Sequence, residues 1–303
     1  MRFQRWTIPS EFRLFRHLAG FACLLFLIGC PAEALGEWNL PQSTEKVLLP
    51  APAQRVLQTA LSQPVGTAPV SLSSESTAPI IASLPKGFRD SCNKIVEDWP
   101  TAAGSDQWTA RVLFSTHIEG GIEAVLALRC SSSHANMKEW YDERPAVVVL
   151  TRESASLRLV PLEKECNDCE RFYHVEFSKT YTAVGARLIE LQVYYSDDNP
   201  CCDGTDHKEG NRLVVASLPM GEQVLSTVVY TDENSVDDEA GTDTVWVCEA
   251  KIAHDNDSAD HLKMIRTETH CKVDDVPQPE VKNQSFRWNP EAHTFEEVKP
   301  ALP

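Results

Sequence analysis

Carboxylates crowd three short stretches of this 303-residue chain. The densest is Ser196-Asp197-Asp198-Asn199-Pro200-Cys201-Cys202-Asp203-Gly204-Thr205-Asp206-His207-Lys208-Glu209-Gly210. A second runs from Asp232 through Asp237 and Asp238 to Asp243, and a third is Asp255, Asp257 and Asp260. If the strands between Arg187 and Thr269 meander up and down, chain direction reverses at each connection. The first two stretches then fall at one end of the sheet. Carboxylates gathered there repel each other unless they are solvated or bridged by a cation, and hard oxygen donors suit calcium. Asp197, Asp198, Asp203, Asp206, Asp237 and Asp238 are the candidate ligands. EF-hand spacing is absent: with Gly204 as sixth residue, the third would be Cys201 and the twelfth Gly210. The competing reading is a solvated acidic rim that keeps the protein soluble.

Sulfur is the second chemistry-bearing element. Cys23 and Cys30 lie in the N-terminal segment, leaving Cys92, Cys130, Cys166, Cys169, Cys201, Cys202, Cys248 and Cys271. An even number in an exported chain reads as disulfides. Cys248 and Cys271 fall on consecutive predicted strands, so a cross-strand bridge is expected there. Cys92 to Cys130 would pin the start of the body to its second strand. Cys166-x-x-Cys169 and the Cys201-Cys202 pair leave three options: a cross-link between the two loops, one local bridge in each, or a four-Cys zinc site.

Catalytic signatures are scarce. The chain has no G-x-S-x-G elbow, no H-E-x-x-H, no Walker loop and no dinucleotide fingerprint. His117, His134, His174, His207, His254, His261, His270 and His293 are scattered, none at a tight metal spacing. His207, between Asp206 and Glu209, is the one whose neighbours would most perturb its pKa. His174 reads as lying on the polar face of its strand. No catalytic residue is assigned. Trp99, Trp108, Trp140, Trp246 and Trp288 would stack on sugars if exposed, but aromatics on strands mostly fill cores.

The elements that would position these residues are strands. From about residue 86, β-branched and aromatic runs recur between turn residues, about a dozen in all, from 109–114 through 187–195 to 294–298. In Leu188-Ile189-Glu190-Leu191-Gln192-Val193-Tyr194-Tyr195 one face is apolar and the other mixed, the period of a half-buried antiparallel strand. Residues 287–295 read as a closing hairpin around Pro290. The expected fold is all-β: a single antiparallel sandwich or barrel-like domain, disulfide-bonded, over residues 86–303. Residues 35–85 are rich in Pro and Ser and are expected to be a disordered linker. A weak helix over 45–62 would be cut short by Pro50 and Pro52.

Arg2, Arg5, Arg13 and Arg16 precede an apolar run from Leu18 to Ile28. That is the layout of a secretory signal peptide, here residues 1–34. Leu27-Ile28-Gly29-Cys30 fits a lipobox with Cys30 as the lipidated residue, whereas Ala32-Glu33-Ala34 fits ordinary signal cleavage. The chain is therefore expected in the periplasm, on the outer envelope as a lipoprotein, or secreted. The segment Tyr194-Tyr195-Ser196-Asp197-Asp198-Asn199-Pro200-Cys201-Cys202-Asp203-Gly204, with Arg287-Trp288-Asn289 and Phe295, resembles uncharacterised exported bacterial β-rich proteins, some of them lipoproteins. The resemblance covers about thirty residues. It implies export and a β-rich fold and carries over no functional residue.

Lys and Arg number 28 against 44 Asp and Glu, a net charge of −16. Such a surface repels nucleic acid and anionic membranes, so a lipid anchor is the only membrane attachment expected. It steers toward cationic proteins. The expected function is an exported, non-catalytic binding or envelope-associated module engaging a cationic protein, of which a basic wall-degrading enzyme would be one case. The alternative is a secreted hydrolase acting on a polysaccharide through the loop carboxylates.

Overall fold

Alternating β-branched runs build nearly every element of the chain. The computed structural model describes residues 46–62, 70–86, 88–89, 107–132, 140–162, 172–199, 206–237, 242–258 and 261–299. All lie within one compact unit, Asn39–Pro303. The order is β1 (Val47–Leu49), α1 (Ala51–Leu61), β2 (Val70–Leu72), α2 (Ser74–Ile81), β3 (Gln107–Ile118), β4 (Gly121–Ser132), β5 (Trp140–Thr151) and β6 (Ala155–Leu159). There follow β7 (Phe172–Ala183), β8 (Ala186–Asn199), β9 (Asp206–Leu218), β10 (Gln223–Asp237), β11 (Thr242–Ser258), β12 (His261–Val273), β13 (Val276–Asn289) and β14 (Thr294–Glu297).

Two sheets result. The first runs β1-β6-β5-β4-β3-β2, and the second runs β11-β10-β9-β8-β7-β12-β13-β14 with β11 also paired to β12. That extra pairing closes β7 to β12 into a six-stranded barrel. Among the described residues every ladder is antiparallel except the β7–β12 contact, a parallel bridge between His261 and Thr182. The all-β fold expected from the sequence, a sandwich or barrel-like domain, is found, here as a six-stranded sheet packed on a six-stranded barrel.

Burial explains which runs alternate and which do not. The six-stranded sheet is covered on both faces. One face, with Ala110, Val112, Leu126, Leu128, Val148 and Leu157, packs on the helices. The other, with Leu113, Val125, Ala127 and Val147, packs on Ile189, Leu191, Val193 and Val214 of the barrel wall. A strand buried on both faces reads as an unbroken apolar run, which is how Ala124-Val125-Leu126-Ala127-Leu128 reads. The opposite face of β8 and β9 contributes Leu188, Leu213 and Val215 to a third cluster, with Leu262, Ile265, Trp288 and Phe295.

The expected linker is corrected in part. Residues 46–62 and 70–86 fold onto the first sheet as two edge strands and two helices. Pro52 does not stop α1, because it stands in the first turn, where a missing N–H leaves no bond unmade. Ala53, Leu57 and Leu61, one helical turn apart, form its buried stripe. In α2 the Ser73 hydroxyl accepts from the Ser76 amide, and Ile80 and Ile81 are buried. Burying each such side chain stabilises by roughly 1.5–3 kcal/mol, enough to order a Pro- and Ser-rich segment.

The expected bridge between Cys248 and Cys271 is present, and the two are direct partners in the β11–β12 register. Cys130, in β4, is also disulfide-bonded. Cys92, Cys166, Cys169, Cys201 and Cys202 lie outside the described residues, as do Cys30 and the rest of the 1–34 segment. The closing hairpin is β13–β14, its turn held by the Asn289 side chain, which accepts from the Glu291 and Ala292 amides.

Candidate functional site

The acidic stretches are not free loops. Strand β8 continues through Asn199, β9 resumes at Asp206, and β10 continues through Asp237. This corrects the expectation of a loop over the whole of residues 196–210. The ladders then fix which positions stand side by side. Asp197 is opposite Lys208, Lys208 opposite Glu233, and Glu233 opposite Trp246. One step along, Asp198, His207, Asn234 and Val245 form the next row. On the other side, Ser196, Glu209, Asp232 and Val247 form another. The β8–β9 and β10–β11 hairpins thus share one end of the barrel, as the meander requires.

Of the candidate calcium ligands, Asp197 and Asp198 stand opposite Lys208 and His207, Asp206 opposite Asn199, and Asp237 opposite Thr242. Asp203 and Asp238 lie outside the described residues. Among the described residues no group of three or more His, Cys, Asp or Glu side chains could hold a metal ion. In the third stretch Asp255 accepts a 2.6 Å ion pair from Arg266, and Asp260 lies outside the described residues.

Electrostatics at this end are negative. The Tyr230 hydroxyl donates to Asp232 Oδ2 at 3.1 Å. Its phenol is pushed up by burial first, then by the hydrogen bond and charge of Asp232 and the charges of Glu209 and Glu249. Three carboxylates therefore act on one ring edge. Among the described residues the Asn211 Oδ1, Thr231 Oγ1 and Asn234 Oδ1 atoms nearby are hidden from solvent and have no hydrogen-bond partner. Gly210 lies so close to the Tyr195 hydroxyl and the Tyr230 carbonyl that a Cβ would collide with both. Asp232, Glu233 and Glu209 give this end an excess of carboxylates over the one lysine, Lys208, of these rows, which a cation-bearing partner complements.

Two interior constellations went unseen in the sequence. Glu190, 3% exposed in its side chain, accepts from Ser178 Oγ at 2.7 Å and Tyr181 Oη at 3.0 Å, and pairs with His254 Nε2 at 2.6 Å. Lys179 Nζ lies 3.3 Å from His254 Nδ1. The lysine donates to Nδ1, which places the imidazole proton on Nε2, facing the carboxylate. This is a satisfied buried network on the barrel side of β8. At the sheet–barrel interface, fully buried Glu143 takes a two-pronged bond from Arg111, Nε at 3.1 Å and Nη2 at 2.8 Å, and the Val175 amide at 2.9 Å. His174 Nδ1 lies 3.2 Å from the same carboxylate, and Nε2 lies 3.2 Å from Glu176. His174 thus sits at an interface rather than on a plain solvent face. The one signal was Glu190 between Ile189 and Leu191 in an apolar run; Glu143, between Asp142 and Arg144, gave none.

A hollow lined in part by His117, Leu150, Arg152 and Glu153 opens beside the β3–β4 and β5–β6 turns. Among the described residues its lining brings in one carboxylate, Glu153. Of the tryptophans, Trp108 is partly buried against Phe88 and Trp288 is buried with its Nε1–H donated to Val184 O. Trp246, 46% exposed, departs from the expectation that strand aromatics fill cores. No family model, no curated protein and no solved structure matches this chain.

Proposed function

We propose that this chain is an exported, non-catalytic binding module whose acidic barrel end engages a cationic protein. The observation that carries the reading is the register of β8 to β11. It sets Asp232, Glu233, Glu209 and the Asp197 position on neighbouring strands at one end, beside a tyrosine whose phenol three carboxylates disfavour ionising. Carboxylates outnumber the one lysine of these rows, Lys208, and an excess of one sign on a rigid ladder raises the encounter rate with the opposite sign. Export, to the periplasm, the envelope or the medium, accords with the basic-then-apolar N-terminus and with disulfides in the body. Lipidation at Cys30 would add a tether.

A basic lysozyme, a cationic wall-degrading enzyme, is the probe. Calorimetric titration at low salt is expected to show saturable binding that weakens steeply as salt is raised. Neutralising Asp232 and Glu233 together as Asn and Gln is expected to weaken it further. Absence of binding at low salt, or binding indifferent to both salt and these substitutions, would overturn the reading.

A further inference from the structure

Water around a large indole is unfavourable, and a strand tryptophan left facing solvent calls for a reason. Trp246 stands opposite Glu233 on β10 and opposite Val273 on β12, and Val273 stands opposite Val276 on β13. Directly opposed residues share a face of the sheet. Trp246, Val273 and Val276 therefore form an apolar strip across three strands, roughly 10 Å wide from strand spacing. Val276 is 61% exposed. Lys272, the neighbouring cation, alternates to the other face.

The strip is held rigid on two sides. Two residues along each strand, Cys248 and Cys271 are covalently joined. At the other side, Asp274 and Asp275 turn the chain from β12 to β13 with φ of 50° and 64°. The Asp274 amide donates to Val245 O at 2.9 Å, and its Oδ1 accepts from the Val245 amide at 2.9 Å, fastening the turn to β11. Its margin carries Glu233 in the same row, with Lys208 opposite Glu233 on the next strand, and the exposed Asp274 and Asp275 at the turn. A pre-organised aromatic anchor with a charged rim is the anatomy of an interface hot spot.

We infer that this strip seats a basic segment of the partner, an arginine or lysine lying over the Trp246 indole. Its methylenes run along Val273 and Val276, and its charge faces Glu233 and the Asp274–Asp275 turn. Charge complementarity selects this occupant: an indole face attracts cations, and the neighbouring carboxylates repel an acidic or lipid surface. The inference rests on the cationic-partner reading above.

Titration of the intact, oxidised chain with a nona-arginine peptide tests it. Trp246→Ala is expected to weaken binding about 3- to 10-fold, Trp246→Tyr much less, because a cation–aromatic contact has about that worth. The indole N–H resonance of Trp246, assigned by its loss in Trp246→Phe, is expected to shift as the wild-type chain is titrated, a readout that does not depend on how the Ala variant folds. If Trp246→Ala binds nona-arginine as tightly as wild type, or that resonance stays still, the strip is overturned while the cationic reading stands. If the wild-type chain binds neither nona-arginine nor lysozyme, both fall. Self-association abolished by Trp246→Ala would show that a second copy covers the strip and would overturn the inference. A shift of the same resonance with a neutral glucan oligosaccharide, and none with nona-arginine, would also overturn it.

Discussion

Across the sheet–barrel interface, His174 Nδ1 lies 3.2 Å from Glu143 Oε2, and the other imidazole nitrogen lies 3.2 Å from Glu176. A protonated ring donates to both carboxylates, while Arg111 Nη2, 3.4 Å from the same Nδ1, opposes that charge. The hydrogen bond to Glu143 raises the His174 pKa. Burial pulls it back, the Glu143 charge and Glu176 raise it again, and Arg111 opposes. Burial disfavours ionised Glu143, yet bonds from His174, Arg111 and the Val175 amide outweigh it and hold the carboxyl below its ordinary value.

The two shifts define a pH window. A raised histidine pKa contributes stability that is complete below its unfolded value of about 6.5 and is lost as pH rises through the folded value. A lowered carboxyl pKa contributes above its unfolded value of about 4.3 and is lost as pH falls through the folded one. The latch is therefore expected to be strongest between about pH 5 and 6.5. His174 is 31% exposed in its side chain, so solvent screening holds its share below about 1 kcal/mol. Denaturant melts from pH 5 to 8 should show wild type and His174→Gln converging as pH rises. Curves that stay parallel would contradict this.

Removing the carboxylate itself should cost far more. Glu143→Gln leaves the Arg111 guanidinium, 19% exposed, without its counter-charge between two packed layers. Breaking one side of a buried pair costs about 3–5 kcal/mol. The Arg111→Met, Glu143→Leu double variant removes both charges and is expected to recover much of that loss. A single variant as stable as wild type in urea melts would show that the pair is not what couples the layers.

Leu57→Ala in α1 separates a folded N-terminal segment from a tether. Leu57 is fully buried against the first sheet. Truncating it should destabilise by about 2–5 kcal/mol, the range for a large-to-small core change. Leu48→Ala, at a residue 69% exposed, is the matched control and should change little. Equal melting temperatures for the two variants would return this segment to a linker.

What the sequence concealed here was tertiary. The period-two pattern of β8 and the cross-strand position of Cys248 and Cys271 are local, so strand identity and one disulfide could be read in advance. α1 could not, because its stripe of Ala53, Leu57 and Leu61 is short and set among prolines, and only docking on a distant sheet stabilises so short a helix. Glu143 and Glu190 were hidden for a related reason. Their partners lie 32 positions away at Arg111 and 64 away at His254, and nothing in local spacing joins them. The acidic end was legible as composition and as an end of a meander, but the strip of Trp246, Val273 and Val276 needed the register of the β10–β11, β11–β12 and β12–β13 ladders.

Loss of the Cys248–Cys271 bridge should lower stability without altering the fold. The bond joins positions 23 residues apart, and restricting a loop of that length in the unfolded chain is worth about 3 kcal/mol. The β11–β12 ladder continues on both sides of the bridge, from Trp246↔Val273 to Ser258↔His261, so the register is over-determined. A Cys248→Ala, Cys271→Ala variant should melt lower with unchanged far-UV circular dichroism. Substitution is the right perturbation, because a reductant would also reach the Cys130 disulfide. The bridge also lies two residues from Trp246 and Val273, so the variant should bind nona-arginine a few-fold more weakly as the strip loses pre-organisation. An unchanged melting temperature would mean that the ladder alone fixes this hairpin and that the sulfur bond is redundant to it.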